Sequence, residues 1–186
     1  MKAYAFWMYG MWGPQTDPGS CQMSQRIARE TGADIGGSPY RDYELNTIVE
    51  KILALPLDVP VLVGGTSLGS NNTPIVAAYV YAKNPKRIIH GIWGFQASIY
   101  GAQAQQGTPY DGIPPNVLFA HLTSSDNPIP YPGLGAYRWV KAPGNTVTDF
   151  YNPTIDDPHP GDGNVAVQNR YIAEMKRVIA TAVTRP

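Results

Sequence analysis

Residues 59–81 read VPVLVGGTSLGSNNTPIVAAYVY, and the order of residue types in this stretch decides the fold. The run Val59 to Val63 suits a buried strand, glycines and a serine follow as a sharp turn, and the apolar-rich segment beyond reads as a helix. The turn itself is Gly65-Thr66-Ser67-Leu68-Gly69, a G-x-S-x-G arrangement. Glycines two before and two after the serine are what a strained strand-to-helix turn needs, because a Cβ at either position would collide with the neighbouring strand or helix. Ser67 then stands clear of the sheet with its hydroxyl exposed. A Gly/Ser turn that serves packing alone is the alternative to weigh.

Working outward, the same alternation of short apolar strands and helices recurs. Tyr4 to Met8 is aromatic-rich and bounded by Gly10, which suits a buried strand. Met23, Ile27 and Ala28 fit a helix from about Gly19 to Glu30 closed by Gly32, and Ala33 to Ile35 makes at best a short strand. Leu45, Ile48, Val49, Ile52 and Leu53 follow the i, i+3, i+4, i+7, i+8 pattern of an amphipathic helix, ended by Pro56. On the far side, Arg87 to Trp93, Val117 to Leu122 and Tyr137 to Val140 read as strands, with a return near Val147 to Phe150. A last helix runs from about Asn164 to Ala182, burying Val167, Tyr171, Met175 and Val178. Strand and helix alternating in this way predict an α/β fold, a three-layer α/β/α sandwich whose mainly parallel sheet has about six strands. Pro74 lies seven residues past Ser67, so the helix after the turn is expected either to kink there or to begin properly at Pro74.

At 186 residues with no internal repeat and no linker, the chain reads as one domain over residues 1–186. Fourteen basic and fourteen acidic residues cancel, which gives no reason to expect nucleic acid or an anionic membrane as partner, and the apolar stretches are too short to span a membrane. A short, neutral chain is compatible with a monomer. The single cysteine, Cys21, excludes an internal disulfide and a multi-cysteine metal site, and no His/Asp/Glu cluster has metal-ligand spacing, so neither metal nor cofactor is expected. Met1-Lys2-Ala3 runs straight into an apolar block without the features of an export signal, and a cytoplasmic location is the expectation. The glycine-rich turn at Ser67 lacks the lysine of a phosphate-binding loop, which argues against a nucleotide.

In an open parallel sheet the chemistry sits beyond the carboxyl ends of the strands. A serine there needs a base, itself oriented by a carboxylate. Of the three histidines, His90 and His121 lie inside predicted buried strands and read as core residues. His159 lies in a Pro/Asp-rich loop before the last helix and is the candidate base. Asp126 leaves the strand Val117 to Leu122 in its first loop residues and is the candidate acid, with Asp156 and Asp157 as rivals too close in sequence to His159 to approach its ring easily. Trp12, Trp93 and Phe95, together with Trp7 and Tyr100, are candidates to line an apolar acyl pocket, with core packing as the alternative.

Ser67, Asp126 and His159 follow one another in the order nucleophile, acid, base. With the glycine-flanked serine, Ser124-Ser125-Asp126 after a strand, His159 before the final helix and Tyr9-Gly10-Met11-Trp12 after the first strand, the sequence resembles the α/β-hydrolase superfamily, in its minimal lid-less lipase and esterase form, over nearly the whole chain. That resemblance implies an α/β-hydrolase fold without a cap domain and a serine hydrolase cleaving carboxylic esters, with short or medium acyl esters favoured by the missing lid. It implies Ser67 as nucleophile, His159 as general base and Asp126 as its orienting acid. It further implies an oxyanion hole built from the backbone N–H of Leu68 and one from the first strand's loop, Met11 being the choice and Trp12 the next. Tyr9 stands where the family often has histidine, with Gly10 retained. A non-catalytic module on the same fold, or an acyltransferase or thioesterase using the same three residues, are the other readings.

Overall fold

The computed structural model describes residues 2–10, 18–35, 39–41, 44–97, 112–125, 138–156 and 163–184. In chain order the elements are β1 (Tyr4–Met8), α1 (Pro18–Thr31), α2 (Leu45–Ala54), β2 (Val61–Thr66), α3 (Leu68–Lys83), β3 (Gly91–Phe95), β4 (Phe119–Ser125), β5 (Asp149–Tyr151), β6 (Thr154–Ile155) and α4 (Val165–Thr184).

The sheet has six strands in the order β1-β2-β3-β4-β5, with β6 beside the end of β4, and every pairing is parallel. Parallel strands need crossovers, and the helices that make them bury both faces. Burial follows from that: β1 from Ala5 on and all of β2, β3 and β4 are buried residue by residue rather than in alternation. Two cores result. On one face, Ile48, Val49 and Ile52 of α2 and Val76, Ala77 and Val80 of α3 pack on Phe6, Met8, Val61, Val63 and Ile92. On the other, Met23 and Ile27 of α1 and Val167, Tyr171, Ile172 and Met175 of α4 pack on Trp7, Leu62, Trp93 and Phe95. The three-layer sandwich expected from the sequence is the observed one. α2 shows why packing decides: it is ten residues long and Glu44 supplies no side-chain cap, a helix marginal in isolation. Burying Ile48, Val49 and Ile52 at about 1.5–3 kcal/mol each is what holds it.

Element boundaries moved where hydrogen bonding overrode residue preference. β2 begins at Val61 rather than Val59, because Pro60 has no N–H to give and serves only as acceptor for the N–H of Tyr4 at 2.9 Å. Arg87 to His90 carries an isolated bridge from Ile89 to Val117 and a hydrogen bond from His90 N–H to the Val61 carbonyl at 2.8 Å, and β3 proper is Gly91–Phe95. The expected strand Tyr137 to Val140 is not one in its described part, residues 138–140. Trp139 is buried as a plug in the α2/α3 face, beside the spot where a Cβ on Gly94 would stand, and Lys141 makes one bridge to Ile113. The strand beside β4 is β5, where the return was expected. α3 runs unbroken from Leu68 with Pro74 inside it, so the alternative of a helix starting at Pro74 is corrected. Pro74 forfeits one backbone bond in a helix that is buried on nearly every side.

Candidate active site

Parallel pairing brings the carboxyl ends of all strands to one edge, and Ser67 sits at that edge with a distorted backbone. Its φ of 53° and ψ of −117° place a non-glycine residue in the left-handed half of conformational space. The flanking glycines make that possible. A Cβ on Gly65 would lie 2.5 Å from the carbonyl carbon of Gly69, and one on Gly69 would lie 2.6 Å from the Met8 carbonyl oxygen, both inside the 3.0 Å that real Cβ atoms keep. The turn is therefore closed against itself and against the end of β1, as the spacing of the glycines required. Ser67 N–H donates to the carbonyl of Phe95 at 2.9 Å, and its own carbonyl accepts from Asn71 N–H at 3.0 Å, which starts α3. The Ser67 side chain does not cap that helix. Leu68 opens α3, where backbone N–H groups have no partner within the helix. Beneath the turn, Ser20 of α1 donates to the Thr66 hydroxyl at 2.7 Å and in turn accepts from the Trp7 indole at 3.3 Å, tying the elbow to the α1 face.

The architecture is a three-layer α/β/α sandwich on a parallel sheet, with the Gly65–Gly69 turn joining β2 to α3. No family model matches the chain, and no curated protein matches it by sequence. Solved structures similar to it include a protein of Xanthomonas campestris pv. campestris assigned to the alpha/beta hydrolase superfamily, 13% identical, covering 97% of each chain with a TM-score of 0.48. A point variant of SOBER1 from Arabidopsis thaliana is 10% identical, covering 96% of this chain and 100% of its own with a TM-score of 0.49. A protein of Lactobacillus plantarum described as a cell surface hydrolase is 12% identical, covering 100% of this chain and 94% of its own with a TM-score of 0.47. Among the described residues, no helix is long and apolar enough to cross a membrane.

Within this fold, the expected residues divide into those described and those not. Ser67 and Leu68 stand at the elbow. Met11, Trp12, Asp126 and His159, together with the rival Asp157 and the aromatic Tyr100, lie outside the described residues. Their described neighbours are placed: β4 ends at the buried Ser125, the residue before Asp126, and β6 pairs Ile155 with Ser125 at the same edge. Asp156, exposed, follows β6.

For Trp93 and Phe95 the structure has the core-packing alternative. Both are buried in the α1/α4 core, at 0% and 1% exposure, because odd-numbered positions of β3 face that side. Trp7 is part of the same core.

What the sequence reading missed is a polar network under the same edge. His121 Nδ1 lies 2.8 Å from Glu174 Oε2 on α4, and the Trp93 indole N–H donates to that same oxygen at 3.1 Å. Thr123 Oγ1 lies 3.3 Å from His121 Nε2. Tyr171 reaches between β3 and β4: its hydroxyl accepts from Thr123 N–H at 3.1 Å, donates to the Gly94 carbonyl and lies 2.9 Å from Thr123 Oγ1. Burial pushes the Glu174 carboxyl up, but hydrogen bonds from His121, Trp93 and Arg170 outweigh it and hold the group below the usual carboxylate range. Burial likewise pushes the Tyr171 phenol well above its usual range, so it stays a neutral donor. The signal for this network was a histidine in an apolar strand, which demands a partner, and a glutamate three residues after a buried tyrosine on one helix face.

Proposed function

We propose that this protein is a serine hydrolase that cleaves carboxylic esters through an acyl-enzyme on Ser67. The observation that carries the reading is the strained, glycine-locked Ser67, held at the carboxyl edge of a parallel sheet. In this mechanism Ser67 Oγ attacks the ester carbonyl while His159 takes its proton. The alcohol leaves with that proton, water attacks the acyl-enzyme as His159 takes a proton from it, and the proton returns to Ser67 as the acid departs. Asp126 orients His159 and stabilises its cation. The N–H groups of Leu68 and Met11 receive the oxyanion, each such donor being worth about 3 kcal/mol of transition-state stabilisation. Trp12 and Tyr100 are aromatic candidates for contact with the acyl group, and short or medium acyl esters are the expected substrates.

Labelling with a fluorophosphonate probe at neutral pH, with hydrolysis of a panel of p-nitrophenyl esters, tests this. The wild type is expected to be labelled and to turn over, and Ser67→Ala to do neither. A folded wild type that never labels overturns the proposal in favour of a non-catalytic module. Asp126→Asn is expected to lose at least about 100-fold in kcat, whereas Asp156→Ala and Asp157→Ala keep the wild-type rate; the reverse reassigns the acid. Product analysis with added alcohols or thioesters separates hydrolysis from acyl transfer and ester from thioester cleavage.

A further inference from the structure

The residue after β3 takes a backbone conformation that glycine would adopt freely. Gln96 has a φ of 45°, and among the described residues it is the one non-glycine besides Ser67 with a positive φ. A side chain in that region presses its Cβ on the backbone carbonyl, a strain glycine does not have. Gln96 is also fully buried. Its place is specific, since β3 separates β2, which carries the nucleophile, from β4, which leads to Asp126. The carbonyl immediately before it, on Phe95, accepts Ser67 N–H at 2.9 Å, and its own N–H donates to the Thr123 carbonyl at 2.7 Å. The two described non-glycine residues of positive φ thus stand at the ends of neighbouring strands, joined through the Phe95 carbonyl. Strain of this kind persists where surrounding structure over-determines it, and it gathers where geometry is used chemically.

We infer that Gln96 is a positioning residue of this site. Its buried side-chain amide holds the turn at the end of β3 so that Phe95 offers its carbonyl to Ser67 N–H, and so that the elbow keeps a fixed separation from the strand leading to Asp126. The inference rests on reading Ser67 as the nucleophile. Glycine would supply the same backbone turn without strain, so what glutamine adds is its amide; removing the amide loosens the elbow without unfolding the sheet.

The test compares Gln96→Gly and Gln96→Glu in the full chain by melting temperature, amide hydrogen exchange and ester hydrolysis. Gln96→Gly is expected to keep or raise the melting temperature, to exchange the Ser67 amide at least about 10-fold faster, and to lower kcat by about 10- to 100-fold with KM within about threefold. Gln96→Glu, of the same size, is expected to fold and to lose kcat in the same direction. Wild-type exchange and kcat in both variants overturn the inference, as does a Gln96→Gly chain that unfolds, since the side chain would then carry stability rather than position. If the wild type shows neither labelling nor turnover, the reading of Ser67 fails, while exchange at its amide still decides whether Gln96 holds the elbow.

Discussion

Replacing Tyr171 by phenylalanine removes one oxygen from a fully buried side chain and leaves its ring, which meets Phe95 edge-on at 5.4 Å and His121 at 4.9 Å, in place. That oxygen accepts Thr123 N–H and donates to the Gly94 carbonyl, one group on each of two neighbouring strands. Each bond contributes about 1 kcal/mol net, and a buried backbone group left without a partner costs about 1–3 kcal/mol. The Phe95 and Thr123 register leaves Thr123 N–H facing the Gly94 carbonyl, so direct pairing across the two strands recovers part of the loss. The expected cost is therefore about 2–3 kcal/mol, or roughly 5–10 °C in Tm for a chain of this size. Urea denaturation at pH 7 should show the midpoint falling with an unchanged m-value. Tyr171→Leu should cost more, since it also loses ring packing. A Tyr171→Phe protein within about 0.5 kcal/mol of wild type would refute the claim that this hydroxyl joins the two strands.

Gly69→Ala should destabilise by about 2 kcal/mol or more and abolish fluorophosphonate labelling, because its Cβ meets backbone of Met8 and Tyr9 that has no side-chain freedom to yield. Ser67→Gly should be more stable than Ser67→Ala by about 0.5–1 kcal/mol in chemical denaturation, since glycine relieves the φ of 53° and alanine does not. Glu174 has a carboxyl lowered in the folded state, so its ionised form stabilises the fold above the usual value of 4.5, and that contribution is lost as pH falls through the lower folded value. The stability gap between wild type and Glu174→Gln, followed by denaturation from pH 7 to pH 3, should accordingly be constant near neutrality and shrink below about pH 4.5.

The sequence made the elbow legible because the glycine requirement is steric and local: Gly65 and Gly69 mark a turn that no other residue fits. α2 and α4 were legible because one buried face imposes its period on the chain. For Trp93 and Phe95 composition left pocket and core both open, because it does not say which face of a strand an aromatic takes; the register of β3 turns both into the α1/α4 core. Tyr137 to Val140 misled because an aromatic beside a β-branched residue looks the same in a strand and in a plug, and Trp139 is a plug. Gln96 left no trace, since nothing in a sequence marks a glutamine held at positive φ. The roles proposed for Asp126, His159 and Met11 rest on their order and on the ends of the strands that precede them.

The margins of the sheet bear on how copies of this chain can meet. Beyond β1, the chain itself supplies further pairing: Asp34 bridges Tyr4 and Tyr40 bridges Met8, with the N–H of Ala5 donating to Asp34 and that of Tyr9 to Tyr40. At the opposite margin, β5 is three residues long, begins with an exposed aspartate, and is separated from β6 by Asn152 and Pro153. A short, charged, proline-interrupted edge is a poor template for another strand. The parallel sheet, rich in the uninterrupted apolar runs that drive strand-to-strand aggregation, is thus shielded at one side and blunted at the other, so self-association through sheet extension is disfavoured at both.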